Sequence, residues 1–116
     1  MENVIVLFEV TIKEDFMKTY LKLAQELKEE LVKNEGFLSS ERYTSLNTKG
    51  KILSKSVWKD EESIEKWRNQ IAHRMCQKKG RERGFIDYQI TVVSPRRTYT
   101  LSNRKEAPKD SNEFFK

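Results

Sequence analysis

"KILSKSVWKDEESIEKWRNQIAHRMCQKKGRERGFIDYQITVV", residues 51–93, passes from strand to helix and back to strand. Lys51 to Trp58 reads as a strand. Asp60 is placed to cap a helix with Glu61 and Glu62 in its first turn, where negative charge meets the positive end of the helix dipole. Ile64, Trp67 and Ile71 form its apolar stripe, and the helical pattern continues, with a break expected near His73, until Gly80 and Gly84. Ile86, Tyr88, Ile90 and Val92 then alternate with Asp87, Gln89 and Thr91 as a last long strand, with Pro95 marking its bulged or edge end.

The preceding half has a matching layout. Val4, Val6, Phe8, Val10 and Ile12 share one side of a strand, opposite Ile5, Leu7, Glu9 and Thr11. Thr11 and Glu14 have the spacing of a capping box before a helix whose apolar positions are Phe16, Tyr20, Leu23, Leu27 and Leu31. Asn34-Glu-Gly36 is expected to close that helix through a left-handed glycine. Phe37 to Leu46 reads as a second strand, joined to Lys51–Trp58 by Asn47-Thr-Lys-Gly50 in a hairpin.

The resulting order is βαββαβ, a ferredoxin-like α+β fold with two helices on one face of a four-stranded antiparallel sheet. The other face would carry Ile5 and Leu7 beside Glu9, Thr11, Gln89 and Thr91. That mixture is too apolar for open water and suits a partner's sheet or a ligand cavity. One domain over residues 1–100 is expected, since 116 residues close around a single core. Residues 101–116 are polar, lack periodicity and contain Pro108, so a flexible tail is expected, with Phe114 and Phe115 as docking candidates.

Composition narrows the setting. Charged residues make up 35% of the chain against 36% hydrophobic, which argues for a soluble protein without a membrane span. The apolar run Val4–Phe8 follows Glu2 and is too brief for a signal-peptide core, so a cytoplasmic location is expected. A single cysteine, Cys76, excludes an internal disulfide and a multi-cysteine metal cluster. From Lys66 to Arg83 seven basic residues face one acid, Glu82, so this stretch carries +6 where the whole chain carries +5.

Residues 57–99, "VWKDEESIEKWRNQIAHRMCQKKGRERGFIDYQITVVSPRRTY", resemble the second half of the antibiotic biosynthesis monooxygenase family of dimeric α+β barrels. The residues that carry the likeness are Trp67, His73, Arg74, Gln77, Gly80, Arg81, Phe85, Asp87 and Tyr88. "FEVTIKEDFMKTYLKLAQEL" (8–27) and "GFLSSERYTSL" (36–46) agree in layout with the family's first half. The resemblance implies a homodimer joined through the open sheet faces, with a pocket in each subunit between sheet and helices. It also implies a cofactor-independent monooxygenase acting on a small aromatic, phenolic or quinol-type substrate.

Such a reaction asks the protein to hold and deprotonate an electron-rich substrate in a dry cavity. His73 is the candidate base because imidazole titrates near neutrality, while a histidine at a helix break also serves as a purely local hydrogen-bonding group. Trp67 and Asn69 complete the candidate catalytic set, and Trp58, Arg74, Tyr88 and Phe8 the candidate substrate-binding set. For both tryptophans core packing is the competing reading, as burial with Ile86 and Ile90 is for Tyr88. Arg68 and Asn69 are alike in lacking a signal that separates them from solvated helix surface. No metal site is expected.

Haem stays open as a cofactor but its pattern is incomplete. The haem-degrading branch has an early Asn on the first strand and an iron-binding His about ten residues past the Trp, where this chain has Phe8-Glu9 and Gln77. A polyanion-binding role for the basic helix is a further alternative. Against nucleic acid, the aromatics that stack bases should lie on the central strands, and "KILSKSVW" offers Trp58 at its end alone. A non-catalytic dimeric protein that binds a small ligand is the remaining reading.

Overall fold

A computed structural model describes residues 3–114, with the side chains of Ile71, Ala72, Cys76 and Phe114 set aside; Phe115 lies outside the described residues. The chain runs β1 (Val4–Ile12), a 3-10 turn (Glu14–Phe16), α1 (Met17–Leu31), β2 (Phe37–Thr44), β3 (Lys51–Trp58), α2 (Glu61–Arg68), α3 (Ile71–Arg83), β4 (Phe85–Val93) and α4 (Lys109–Phe114). The four strands form one antiparallel sheet in the order β2-β3-β1-β4, the ferredoxin-like arrangement expected from the sequence. Among the described residues no helix is long and apolar enough to cross a membrane.

Several local expectations are corrected. Thr11 is a strand residue paired with Lys51 and Asp87, so no capping box forms; the chain enters α1 through the 3-10 turn, which has no side-chain cap. Gly36 is not left-handed, Gly50 being the one positive-φ glycine among the described residues, at φ 80°. Asn34 Nδ2 instead donates to the carbonyls of Glu30 and Leu31, meeting the unsatisfied end of α1. Gly36 is needed for another reason, because a Cβ there would overlap the side chain of Ser63. Strand β2 stops at Thr44 rather than Leu46, and the helical break falls at Asn69-Gln70, ahead of His73.

Asp60 caps α2 as expected, its Oδ1 accepting from the Ser63 amide at 2.9 Å and the Ser63 hydroxyl at 2.7 Å. These bonds hold its carboxyl below the ordinary carboxylate range.

Pairing register assigns each residue to a face. Val4, Val6, Phe8, Val10 and Ile12 of β1 face the helices, opposite Trp58, Ser56, Ser54 and Ile52 of β3. The core on this side is divided in two. One cluster gathers Val10, Ile12, Phe16, Tyr20 and Ile52 at one end of the strands; the other gathers Val4, Trp58, Ile64 and Trp67 at the opposite end.

Candidate functional site: a cavity between two core clusters

The middle of the helix-facing sheet is where the two clusters fail to meet, and two cross-strand rows occupy it. One row is Ser40, Ser56, Val6 and Val92; the next is Arg42, Ser54, Phe8 and Ile90. Small hydroxyl side chains on β3 cannot fill the space between sheet and helices as Ile52 and Trp58 do on either side of them. A cavity of about 590 Å³ results, within the size range of small-ligand sites. It is not closed over β4, an edge strand, where Ile90 is 47% and Val92 44% exposed.

Helices supply the roof. Tyr20, Leu23, Ala24, Leu27, Lys28 and Leu31 line it from α1, Trp67 and Arg68 from α2, His73, Gln77 and Gly80 from α3. The break at Asn69-Gln70 determines how the last two helices present their rings. In an uninterrupted helix residues six apart point roughly 120° away from each other. Here the chain turns between them, and the rings of Trp67 and His73 meet with centroids 4.9 Å apart. Trp67 in turn lies 6.5 Å from Trp58, whose indole nitrogen donates to the Ser56 hydroxyl at 2.8 Å.

His73 Nδ1 is buried and makes no hydrogen bond to the described residues. Burial disfavours the charged imidazolium and pushes its pKa down to about 4, so the ring is neutral at physiological pH. A neutral imidazole in a cavity offers one ring nitrogen as donor and one as acceptor. Tyr20 also lines the cavity; burial raises its pKa, and the positive charge of Arg42 opposes that rise in part.

The residues singled out from sequence divide into two groups. His73, Trp67, Trp58 and Phe8 line the cavity together. Asn69, Arg74 and Tyr88 do not: Arg74 Nη2 donates to Asn69 Oδ1 and Arg74 Nε to the Arg68 carbonyl, so both side chains are occupied at the helical break. Tyr88, beside Val10 in the register, packs on Phe8 and Phe85, and Arg81 lies 6.0 Å from its ring. The expected burial of Tyr88 with Ile86 and Ile90 is not found. Tyr88 is 39% exposed on the edge strand, and Ile86 sits at a register shift that leaves it without a partner on β1. Ser40, Arg42, Ser54, Ser56 and Lys28 line the cavity without having been singled out, and Gln77, noted in the sequence for the family likeness and not as a site residue, lines it too.

Residues 3–79 match the model of the antibiotic biosynthesis monooxygenase family. The chain belongs to that family. A jasmonate monooxygenase of Pyricularia oryzae is 41% identical over 87 residues. The match spans 75% of this chain and 40% of the relative, so this chain corresponds to less than half of that protein. Among solved structures, a conserved protein from Methanosarcina mazei superposes with a TM-score of 0.73 at 20% identity, covering 80% of this chain and 92% of that one. SnoaB, a cofactor-independent oxygenase from Streptomyces nogalater, gives 0.73 at 11% identity, covering 84% and 97%. At these identities the likeness extends to the antibiotic biosynthesis monooxygenase fold.

Proposed function

We propose that this antibiotic biosynthesis monooxygenase family member is a homodimeric, cofactor-independent monooxygenase. Its substrate is a small, mostly apolar molecule with an ionisable oxygen, of the phenolic or quinol type, held between sheet and helices. The observation that carries this reading is the Nδ1 of His73, buried in the cavity wall beside Trp67 and without a hydrogen bond to the described residues.

In the proposed reaction His73 accepts the hydroxyl proton of a phenol, and the phenolate supplies the electrons for reduction of dioxygen. One oxygen atom enters the ring and the other leaves as water, so that phenol and dioxygen give quinone and water. Desolvation makes His73 a weak base in the empty site. A phenolate forming against it restores proton affinity, since an adjacent opposite charge favours the imidazolium. The apolar walls exclude water from the reactive anion.

The residues facing the cavity depart from the haem-degrading pattern. The position ten beyond Trp67 is Gln77, an amide in place of an imidazole, and Asn is absent from β1. The non-catalytic reading keeps one observation in its favour, the same low basicity of His73. Oxygen uptake decides between the two. With a panel of hydroquinones, polycyclic phenols and jasmonate, added because the Pyricularia relative is named for it, the enzyme reading expects turnover that His73→Ala lowers by roughly a hundredfold, as loss of a general base does. Binding without oxygen uptake across the panel would establish a ligand-binding protein instead.

A further inference from the structure

The floor of the cavity is graded. Its β1 and β4 half presents Val6, Phe8, Ile90 and Val92, while its β2 and β3 half presents Ser40, Arg42, Ser54 and Ser56. Arg42 is the direct cross-strand neighbour of Ser54, and its guanidinium is close enough to the Tyr20 hydroxyl to influence its ionisation. Lys28 and Arg68 add two more cations to the lining. Among the described residues none of these three cations is within ion-pair distance of a carboxylate. Glu41 is the one acid among the described lining residues. Its carboxylate accepts from the Tyr43 hydroxyl at 2.8 Å, and both residues alternate onto the opposite face of the sheet from Arg42.

We infer that the Arg42, Ser54 and Tyr20 corner is a carboxylate subsite, so that the cavity takes an apolar acid with its anionic end on β2 and β3 and its carbon body on β1 and β4. A guanidinium presents two parallel N–H donors that match the two oxygens of a carboxylate. The hydroxyls of Ser54 and Tyr20 make no hydrogen bond to the described residues and are available as further donors. The remaining half of the floor has no polar side chain to recognise anything but carbon. This end-to-end polarity fixes which end of a substrate approaches each half of the cavity, a matter separate from how the substrate is oxidised.

The inference rests on the cavity being the substrate site, but its test reads binding alone. Phenylbutanoate, phenylbutanamide and phenylbutylamine share one apolar body and differ in the head group. Binding to the intact protein is followed by the fluorescence of Trp58 and Trp67, both in the cavity wall. The acid is expected to bind at least about tenfold tighter than the amide, and the amine more weakly than either, as a charge-assisted bond demands.

Arg42→Gln should erase the preference for the acid while leaving amide affinity unchanged. Arg81→Gln removes the same charge from α3 outside the cavity and should leave the preference intact. If Arg42→Gln perturbs the fold, Lys28→Gln and Ser54→Ala are expected to reduce the preference in part. Equal binding of acid and amide, equal losses in the Arg42 and Arg81 variants, or no binding of any probe at millimolar concentration would each overturn the inference. Failure of oxygen uptake alongside an intact acid preference would instead remove the oxygenase reading and leave the subsite standing.

Discussion

The imidazole of His73 is tilted by 52° against the indole of Trp67, one ring carried by α3 and the other by α2. Trp67 is thereby part of both the core and the cavity wall. It closes the cluster with Val4, Trp58 and Ile64, and it forms the surface that dries the histidine. Core packing and a place in the cavity wall are compatible for this residue, since the same buried ring supplies the low dielectric that keeps the imidazole neutral.

That desolvation has a signature in stability. The unfolded chain protonates its histidine near pH 6.5, whereas folded His73 holds out to about 4. Between these values unfolding takes up a proton, so stability must fall as pH drops through this window and is fully recovered above about pH 6.5. At about 1.4 kcal/mol per unit of pKa, the loss is on the order of 3 kcal/mol over the whole window, most of it reached by about pH 4.5. Carboxylates titrate at the lower end of the same range, so the quantity to compare is the change in urea midpoint between about pH 7 and about pH 4.5 in the wild type and in His73→Gln. The variant should lose less stability on acidification. Identical pH slopes would mean that the imidazole is solvated.

Much of the fold was legible because its signals are periodic, but the cavity was written in a subtler feature. In "KILSKSVW" the positions that share a face are Ile52, Ser54, Ser56 and Trp58, so two small hydroxyls interrupt an otherwise apolar side of a central strand. That interruption is what separates the two core clusters, and it was the available sign of an internal space. Arg42 carried no sign in the sequence, since a cation on an edge strand is ordinarily solvent-facing; it is exposed in the structure too, and the register beside Ser54 is what sets it at the edge of the cavity. Misplacement of the helical break by a few residues has a plain cause too, for Asn69 and Gln70 are tolerated in helices and no Gly or Pro marks the turn.

Gly80 lies inside α3, where replacing glycine by alanine ordinarily stabilises a helix by up to about 1 kcal/mol. Here the sign should reverse. A Cβ at this position would enter the ring of Phe85, which packs edge-on against both Phe16 and Tyr20. Moving that ring disturbs the core cluster at this end of the sheet, and overpacking of this kind costs about 1–3 kcal/mol. Thermal melts of Gly80→Ala are expected to show a lower Tm than the wild type. A higher one would show that Phe85 can move aside freely.

Ser56 satisfies the indole N–H of Trp58, a side chain only 1% exposed. Ser56→Ala strands that donor in the core, at a cost of about 1–3 kcal/mol. Ser56→Thr keeps the hydroxyl and should retain most of the stability, which separates the hydrogen bond from the space the side chain fills. Urea denaturation of the two variants is the measurement. Equal losses would assign the effect to packing.

The rear of the sheet bears on the proposed dimer. Register places Val57, Ile5 and Val93 in one row there, followed by Lys55, Leu7 and Thr91, then Leu53, Glu9 and Gln89, and finally Lys51, Thr11 and Asp87. Apolar character is thus concentrated toward Ile5 and fades toward Thr11. At the polar end Glu9 pairs with Lys51 at 3.7 Å and accepts from Gln89 at 3.4 Å, so those groups are satisfied within one protomer. Leu7→Glu would set a carboxylate beside its cross-strand neighbour Lys55, a substitution the isolated protomer can accommodate. In a sheet-to-sheet dimer the same carboxylate is desolvated on both sides of the interface, which costs several kcal/mol per uncompensated charge. Association should weaken by more than about a hundredfold, a change worth about 2.7 kcal/mol. Light scattering at micromolar concentration is expected to show a dimer for the wild type and for Thr11→Glu, and a folded monomer for Leu7→Glu. A wild-type monomer, or a Leu7→Glu dimer as tight as the wild type, would mean that the two protomers do not meet through this face.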